Sequence, residues 1–361
     1  MRKLPSDFLK YRPFRIDYSV RVQLQPHRTR EDIRVDKVRI GFIGVGGIAE
    51  YHLDSLQKVE HAVITAVYDI NAERTQEMAA KYGATAYETS EKLLDSGQVD
   101  ALFICSPPFA RNGIEQEAAK RGIHLLSEKP VTLNLEEAKA NARAIREAGI
   151  INSSGYCLRY LDNVQQAKKY LEGKEIDMVL GYRIGGMPPA AWWRKMELSG
   201  GQLVEQSTHQ VDMIRYLAGE FAEVHAFHEQ RQIHKEYPES TVYDVGVFSF
   251  TMQSGAAGNF SNTSLSQHFG RADVEFFGKD FYLQMDGNGT VMKIIDNEQN
   301  ITIKSKMDFY LEQNRSFVEA VRTNRQDLVL CSYDEAVATL AVTLAVNESA
   351  DQRKTVSVPN V

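Results

Sequence analysis

The amino-acid sequence predicts an α/β protein built from a doubly wound parallel sheet followed by a large, mostly antiparallel open sheet. Between Val38 and Ser154, short β-rich runs alternate with helical segments, which is typical of a parallel sheet with crossover helices. After Gly155, strand-like runs follow one another with turn residues and no long helices between them, which indicates antiparallel pairing. A length of 361 residues is enough for two domains with separate cores.

Six runs are predicted as strands of the first sheet. They are VRIGFIG (38–44), AVITAVYD (62–69), TAYE (85–88), ALFICS (101–106), HLLSEK (124–129) and INSSG (151–155). The helical segments between them end at Gly83, Gly97, Gly122 and Gly149, where a glycine commonly follows a helix. These elements predict a dinucleotide-binding type of unit over residues 38–155.

The second part, residues 156–361, is predicted to bind substrate and to mediate oligomerisation. A helix over 161–171 precedes the strand MVLGYRI, a loop, and a helix that begins after Gly200 and Gly201 and ends at Gly219. The next predicted strands lie in YDVGVFSFTM, GAAGNFSNTSL, ADVEFFG, FYLQMDG and TVMKIID. Two amphipathic helices, 309–323 and 333–347, are predicted after them.

Charge is distributed unevenly along the chain. The net charge is −6, but residues 1–37 carry +5 and the remainder carries −11. An acidic body argues against nucleic-acid binding. We interpret residues 1–37 as a basic N-terminal extension, either a solvated arm or a segment that packs on a neighbouring subunit.

No targeting or membrane segment is predicted. The apolar runs are interrupted well before the roughly 18 residues that a membrane-spanning helix needs, and the N-terminus has no apolar core of a signal peptide. Cys105, Cys157 and Cys331 are odd in number and far apart, which argues against a disulfide framework. We therefore expect a cytoplasmic protein.

The stretch GFIGVGGIAEYH directly after the first strand carries a nucleotide-binding pattern. Gly44, Gly46 and Ala49 have the spacing G-x-G-x-x-A, which allows a tight turn and lets a pyrophosphate approach a helix N-terminus. Asp69 ends the second strand, where its carboxylate would accept hydrogen bonds from a ribose diol and repel a 2′-phosphate. Arg74 is the residue that could instead favour NADP. We expect NAD, with NADP less favoured; a glycine turn without a ligand is the alternative.

Two further stretches carry candidate catalytic groups. Lys129, in EKP after the fifth strand, lies where open α/β sheets bind ligands and could stabilise a substrate hydroxyl; a surface lysine is the alternative. In the glycine-led helix, Glu205, His209 and Asp212 fall on one face at about 100° per residue. That face either meets solvent or lines a cleft. A metal site is disfavoured because no second histidine has ligand spacing, so we predict no metal.

From about Val38 to the C-terminus, the sequence resembles the Gfo/Idh/MocA oxidoreductases. The resemblance rests on G-x-G-x-x-A, Asp69, SPP at 106–108, EKP at 128–130 and the glycine-led helix with its histidine. It implies an N-terminal Rossmann domain and a C-terminal α/β domain with a large open sheet. It also implies that Lys129 and His209 flank the nicotinamide, with His209 as general base. Glu205, Ser207 and Arg111 replace an aspartate, a glycine and a histidine that are usual in the family.

These considerations define the candidate site. Lys129, His209 and Glu205 are the catalytic candidates, with Glu205 orienting His209 and Asp212 deeper or structural. The cofactor-binding candidates are Gly44, Gly46, Gly47, Ile48, Asp69, Ser106, Pro107, Glu128, Lys129 and Pro130. The substrate-binding candidates are Trp193, Arg194, Arg159 and Tyr156, with Trp192 beside them.

The predicted function is an NAD-dependent dehydrogenase that transfers a hydride between nicotinamide and a hydroxyl-bearing carbon of a sugar or polyol. Two alternatives stay open: a glycosidase that uses NAD for transient oxidation, and a sugar-sensing regulator without turnover. The expected partners are a small-molecule substrate and further copies of the chain, in a dimer or tetramer formed through the C-terminal sheet. Neither nucleic acid nor membrane is expected as a partner.

Overall fold

The computed structural model describes residues 36–361, which form two sheets covered by helices. The predicted basic extension lies outside the described residues apart from Asp36 and Lys37. No helix among the described residues is long and apolar enough to cross a membrane.

The first sheet has six parallel strands in the order β3-β2-β1-β4-β5-β6. Its strands are β1 (Val38–Ile43), β2 (Ala62–Tyr68), β3 (Thr85–Ala86), β4 (Ala101–Ile104), β5 (His124–Ser127) and β6 (Asn152–Ser154). Its helices are α1 (Gly47–Leu56), α2 (Ala72–Tyr82), α3 (Ser90–Leu94), α4 (Ile114–Lys120) and α5 (Leu135–Ala148). The chain reverses its direction of winding between β1 and β4, the switch point where such sheets bind ligands.

Local sequence signals set the ends of these helices. Asn71 and Asn134 cap α2 and α5 through their side chains. The four predicted stop glycines, Gly83, Gly97, Gly122 and Gly149, all have φ between 62° and 71°. Only glycine adopts that left-handed conformation without steric cost, so the predicted helix ends are confirmed.

The second sheet has nine strands in the order β14-β13-β12-β11-β7-β10-β9-β8-β15. Only the β7–β10 pair is parallel. Its strands are β7 (Met178–Ile184), β8 (Phe221–Glu229), β9 (Val245–Met252), β10 (Ala257–Thr263), β11 (Arg271–Gly278), β12 (Phe281–Asp286), β13 (Val291–Asp296), β14 (Asn300–Lys304) and β15 (Val356–Ser357). The predicted fold class is confirmed.

Six helices belong to the second half of the described chain. They are α6 (Asp162–Leu171), α7 (Met196–Ser199), α8 (Thr208–Ala218), α9 (Ile233–Glu236), α10 (Phe309–Thr323) and α11 (Tyr333–Gln352). Helices α6, α8 and α11 pack on the second sheet, whereas α10 packs on α1 and β1, and α11 also contacts α5 and β6. Phe317 of α10 packs edge-on against Phe103 of β4, with ring centroids 5.6 Å apart. Val342 and Val346 of α11 belong to the core of the second sheet, whereas Tyr333 at its start packs on α5.

Candidate active site

The turn between β1 and α1 provides a cradle for an anion. Gly44 has φ +84°, and a Cβ there would lie 2.6 Å from the Ser106 nitrogen. A Cβ on Gly46 or Gly47 would meet nothing within 4 Å, and no side chain caps the start of α1. The first amides of the helix therefore face open space, which fits the pyrophosphate of a dinucleotide.

Asp69 and Arg74 lie beside this turn and are both fixed by neighbours. The Val45 amide donates to Asp69 Oδ2 at 2.9 Å. The Arg74 guanidinium donates to the Val45 carbonyl at 3.2 Å, and it pairs with Glu50 and with Glu77. Because two carboxylates occupy Arg74, it is poorly placed to receive a 2′-phosphate.

A buried arginine holds the EKP loop at the end of β5. The Arg111 guanidinium donates to the Glu128 carbonyl at 2.6 Å and to the Val131 carbonyl at 2.9 Å, on either side of the cis Lys129–Pro130 peptide. Arg111, which replaces a histidine of the family pattern, thus fixes the backbone that carries Lys129.

Glu128 itself is buried and anchored from the opposite side. One oxygen of its carboxylate lies 3.0 Å from His52 Nε2, and the other accepts the Lys129 amide at 3.1 Å. The second ring nitrogen of His52 contacts Asn314 of α10 at 2.8 Å. This network joins α1, the EKP loop and α10.

Lys129 and Glu205 form an ion pair across the cleft. Lys129 Nζ lies 3.0 Å from Glu205 Oε1 and 2.6 Å from the Glu205 carbonyl oxygen. Trp193 Nε1 donates to the other carboxylate oxygen at 2.8 Å. Burial by itself would raise the pKa of Glu205, but the Lys129 charge and the indole donor hold that pKa below its ordinary value. Glu205 is therefore a carboxylate that orients Lys129.

The expectation that Glu205 orients His209 is wrong in this geometry. His209 Nδ1 is buried and has no hydrogen-bond partner among the described residues, and both Glu205 oxygens are occupied elsewhere. A full ammonium charge and an indole N–H compete successfully against a neutral imidazole for the carboxylate. The preceding Leu203–Ser207 segment is a π-helical turn, an irregularity that the α-helical pattern did not predict.

His209 is half-buried and electrically neutral at physiological pH. Its ring meets the Tyr156 ring edge-on, with centroids 6.0 Å apart. Burial lowers the pKa of His209 well below its ordinary value, and the charges of Lys129 and Arg183 lower it further. The imidazole is therefore available as a proton acceptor.

One cleft of about 310 Å³ brings half of the predicted site residues together. Predicted residues that line it are Ile48, Ser106, Pro107, Glu128, Lys129, Pro130, Glu205 and His209. Trp192 also lines it and packs against Phe109, with centroids 5.8 Å apart. Cys105, Pro108, Arg111 and Tyr310 line the cleft and were not predicted as cofactor or substrate ligands. Tyr310 comes from α10, far along the chain, and no motif marks it.

Two of the predicted substrate contacts are instead buried inside the protein. Arg159 is 2% exposed and binds Asp212 through two hydrogen bonds of 2.9 and 2.7 Å. Asp212 also accepts from Thr339 at 2.8 Å, so its predicted structural role is supported. Tyr156 is 1% exposed, and its hydroxyl is 2.8 Å from that of Thr208. Tyr156 supports the His209 ring from behind.

The other two predicted substrate contacts also face away from the cleft. Trp193 is 1% exposed and uses its indole nitrogen to hold Glu205. Arg194 lies over the Tyr237 ring, 3.9 Å from the centroid, and 3.6 Å from Glu239. In the short helical turn Ala191–Arg194, only Trp192 faces the cleft.

Among residues 36–361, no group of three or more histidine, cysteine, aspartate or glutamate side chains is placed to hold a metal ion.

The chain matches two family models. Residues 38–156 match the oxidoreductase family with an NAD-binding Rossmann fold, and residues 164–283 match the GFO/IDH/MocA C-terminal domain. Both matches fall on the two sheets described above.

Known proteins similar to the chain include two dehydrogenases of inositols. Myo-inositol 2-dehydrogenase of Thermotoga maritima is 25% identical over 90% of this chain and 99% of its own length. The scyllo-inositol 2-dehydrogenase (NAD(+)) of Bacillus subtilis is 30% identical over 66% of this chain and 71% of its own length. Among solved structures, levoglucosan dehydrogenase in complex with NADH has a TM-score of 0.81 at 20% identity and covers 90% of this chain and 100% of its own. That likeness concerns the fold.

Proposed function

The chain belongs to the Gfo/Idh/MocA oxidoreductases and is an NAD-dependent dehydrogenase, and we propose that it oxidises a hydroxyl-bearing carbon of a sugar or polyol. One observation carries the proposal. Lys129 and His209 line the same cleft as Ile48, Ser106 and Pro107, which lie beside the nucleotide cradle. A proton acceptor and a cation thus line the cleft beside the turn that would hold the cofactor.

Lys129 is suited to bind the reacting hydroxyl. Its ammonium has three donors, and Glu205 takes up two of them. The third can bind the substrate oxygen and stabilise the negative charge that develops there. Glu205 keeps this ammonium in place, so it acts as a positioning residue.

His209 is suited to remove the proton from that hydroxyl. Its ring is neutral and lines the cleft; because Nδ1 is buried, the other ring nitrogen, Nε2, is the candidate proton acceptor. The nicotinamide, when bound, supplies the hydride acceptor at C4. The edge contact with Tyr156 limits rotation of the His209 ring. This restriction reduces the entropy lost when the ring reaches the reactive geometry.

The proposed substrate class is supported by the polyhydroxylated compounds named for the relatives. The glycosidase and the regulator are not favoured, because Lys129 and His209 are both present in the cleft and the inositol relatives are named dehydrogenases. The test is a panel of inositols, aldoses and sugar derivatives with NAD, followed through NADH absorbance. We expect stoichiometric NADH from at least one compound; no NADH from any of them would contradict the proposal.

We expect the Asp69 carboxylate to set the preference for NADH over NADPH. Asp69→Ala removes a ribose acceptor and a charge that repels the 2′-phosphate, while Arg74 stays paired with Glu50 and Glu77. The ratio of the two dissociation constants should fall at least about tenfold, or about 1.4 kcal/mol. Glu60→Ala, an exposed carboxylate outside the cradle, is the control. Tighter binding of NADPH by the parent enzyme would contradict the assignment.

We infer that further copies of the chain pack on the open face of the second sheet. Phe227 of β8 and Val247 of β9 are paired neighbours on that face and are 53% and 38% exposed. Adjacent exposed apolar side chains of this kind are typical of interfaces. A light-scattering mass equal to one chain at micromolar concentration would contradict this inference.

We also infer a cytoplasmic location. All three cysteines are buried and free, as expected for a protein that works in a reducing compartment. Recovery of the protein outside the cytoplasmic fraction of its cells would contradict this inference.

A further inference from the structure

Arg183 is a half-buried arginine of the second sheet, beneath the helix that carries His209. It lies near the end of β7, and strand alternation puts it on the same face as Val179 and Gly181. That face is covered by α8, since a Cβ on Gly181 would lie 3.4 Å from Ile214 Cδ1. Arg183 is therefore directed toward the helix that carries His209.

The charge of Arg183 acts on His209 of that helix and on Glu205 of the preceding π-helical turn. It contributes to lowering the pKa of the His209 imidazole and of the Glu205 carboxyl. These charge effects agree with the position of Arg183 near the end of β7, on the sheet face beneath the helix that carries His209.

No carboxylate among the described residues forms an ion pair with this half-buried guanidinium, although the Glu205 charge acts on it. Among residues 36–361, no Asp or Glu oxygen lies within 4.0 Å of it, and its one hydrogen bond is a long contact of 3.4 Å to the Ile184 carbonyl. The buried arginines elsewhere each have a carboxylate partner: Arg111 pairs with Glu115, Arg159 with Asp212 and Arg215 with Glu220. A desolvated cation without a partner is costly, and such a cost is commonly retained for ligand binding.

Unsatisfied hydrogen-bond acceptors accompany the guanidinium. Asn262 pairs in register with Arg183 on β10, and its Oδ1 is buried without a partner. Gln206 Oε1, next to Glu205 in the sequence, is also buried without a hydrogen-bond partner.

The charges around the reacting position leave a net positive group. The Lys129 ammonium is paired with Glu205, and His209 is neutral. Glu128, the other carboxylate of the cleft, is held by His52 and the Lys129 amide on the side of the first sheet. The Glu205 carboxylate thus faces two cations, Lys129 and Arg183, which leaves one net positive charge in this group.

We infer that Arg183 binds an anionic group of the substrate, a carboxylate or a phosphate, and so selects acidic sugars over neutral ones. The inference rests on the proposed function and names its substrate class more narrowly. The planar guanidinium can donate two parallel hydrogen bonds to either anion, which a lysine cannot reproduce.

The test compares three probes that share one ring: glucose, glucuronate and glucose 6-phosphate. Calorimetry at constant ionic strength measures their binding to the full-length enzyme saturated with NADH. We expect at least one anionic probe to bind tenfold or more tightly than glucose. The better of glucuronate and glucose 6-phosphate identifies the carboxylate or the phosphate as the preferred group.

Three variants assign any preference to Arg183. Arg183→Met should abolish it, Arg183→Lys should keep part of it, and Arg353→Met should keep all of it. Arg353→Met removes the same charge from a side chain that is 76% exposed and lies outside the cleft. Unchanged NADH affinity in Arg183→Met shows that this variant is folded.

Equal binding of the three probes, or a preference that survives Arg183→Met, would overturn the inference. If neutral polyols are oxidised but neither glucuronate nor glucose 6-phosphate binds more tightly than glucose, the proposed function stands and the inference fails. If no sugar in the panel is oxidised and none of the probes binds, the proposed function itself fails.

Discussion

Lys129→Met is expected to lower kcat/KM for the sugar substrate by at least about 10³-fold. Loss of one preorganised donor to a developing oxyanion costs about 10²- to 10³-fold by itself. The variant also leaves the Glu205 carboxylate without its ammonium, so a negative charge would face the developing alkoxide. Steady-state rates of NADH formation measure the effect, with NADH binding as the check that the cradle is intact.

A double variant separates chemistry from folding in this prediction. Lys129→Met with Glu205→Gln removes both charges of the pair, so thermal stability should return toward that of the parent enzyme while activity stays low. Lys139→Met, on the surface of α5, is the matched control and should retain full activity. Recovery of activity in the double variant would show that Lys129 serves only to neutralise Glu205.

His209→Ala is expected to lower kcat by about 10²- to 10⁴-fold with little change in NAD affinity. The imidazole is the neutral proton acceptor in the cleft, whereas the cradle at α1 does not involve it. His61→Ala, a partly exposed histidine outside the cleft, is the control. If His209→Ala oxidises a confirmed substrate within about threefold of the parent rate, the base is another group.

Much of the fold could be predicted because its signals are local. Alternating strands and helices, stop glycines such as Gly83, and the glycine turn at Gly44 depend on neighbouring residues only. β8 was missed because its pairing register shifts between Phe221 and Glu223, which interrupts the two-residue alternation of buried side chains. Its outward positions also carry Glu223 and His225, which weaken the pattern further.

The site could be predicted only in part, because its partners come from distant segments. Lys129 and His209, which the motifs single out, line the same cleft. Nothing in the sequence shows that Glu205 binds Lys129, 76 positions away, or that Arg159 is bound by Asp212 inside the core. The direction of each side chain decides these roles. In the loop before the helix, Trp192 lines the cleft whereas its neighbour Trp193 is buried.

The pKa of His209 also could not be predicted from the sequence, because it depends on burial and on charges from distant segments. From composition alone, a histidine base has a pKa near neutrality. The structure adds burial and two nearby cations, which both disfavour the imidazolium. The neutral, proton-accepting form therefore predominates to a lower pH than an exposed histidine would allow.

The pH dependence of kcat/KM at saturating NAD tests most directly the claim that His209 is the base beside Lys129. An imidazole must be neutral to accept the proton, so kcat/KM should rise with pH through the pKa of His209 and then level off. We predict a limb with its midpoint below pH 6.5 in the parent enzyme, and no such limb in the residual activity of His209→Ala. A limb that persists unchanged in His209→Ala, or a parent midpoint above pH 6.5, would contradict the account.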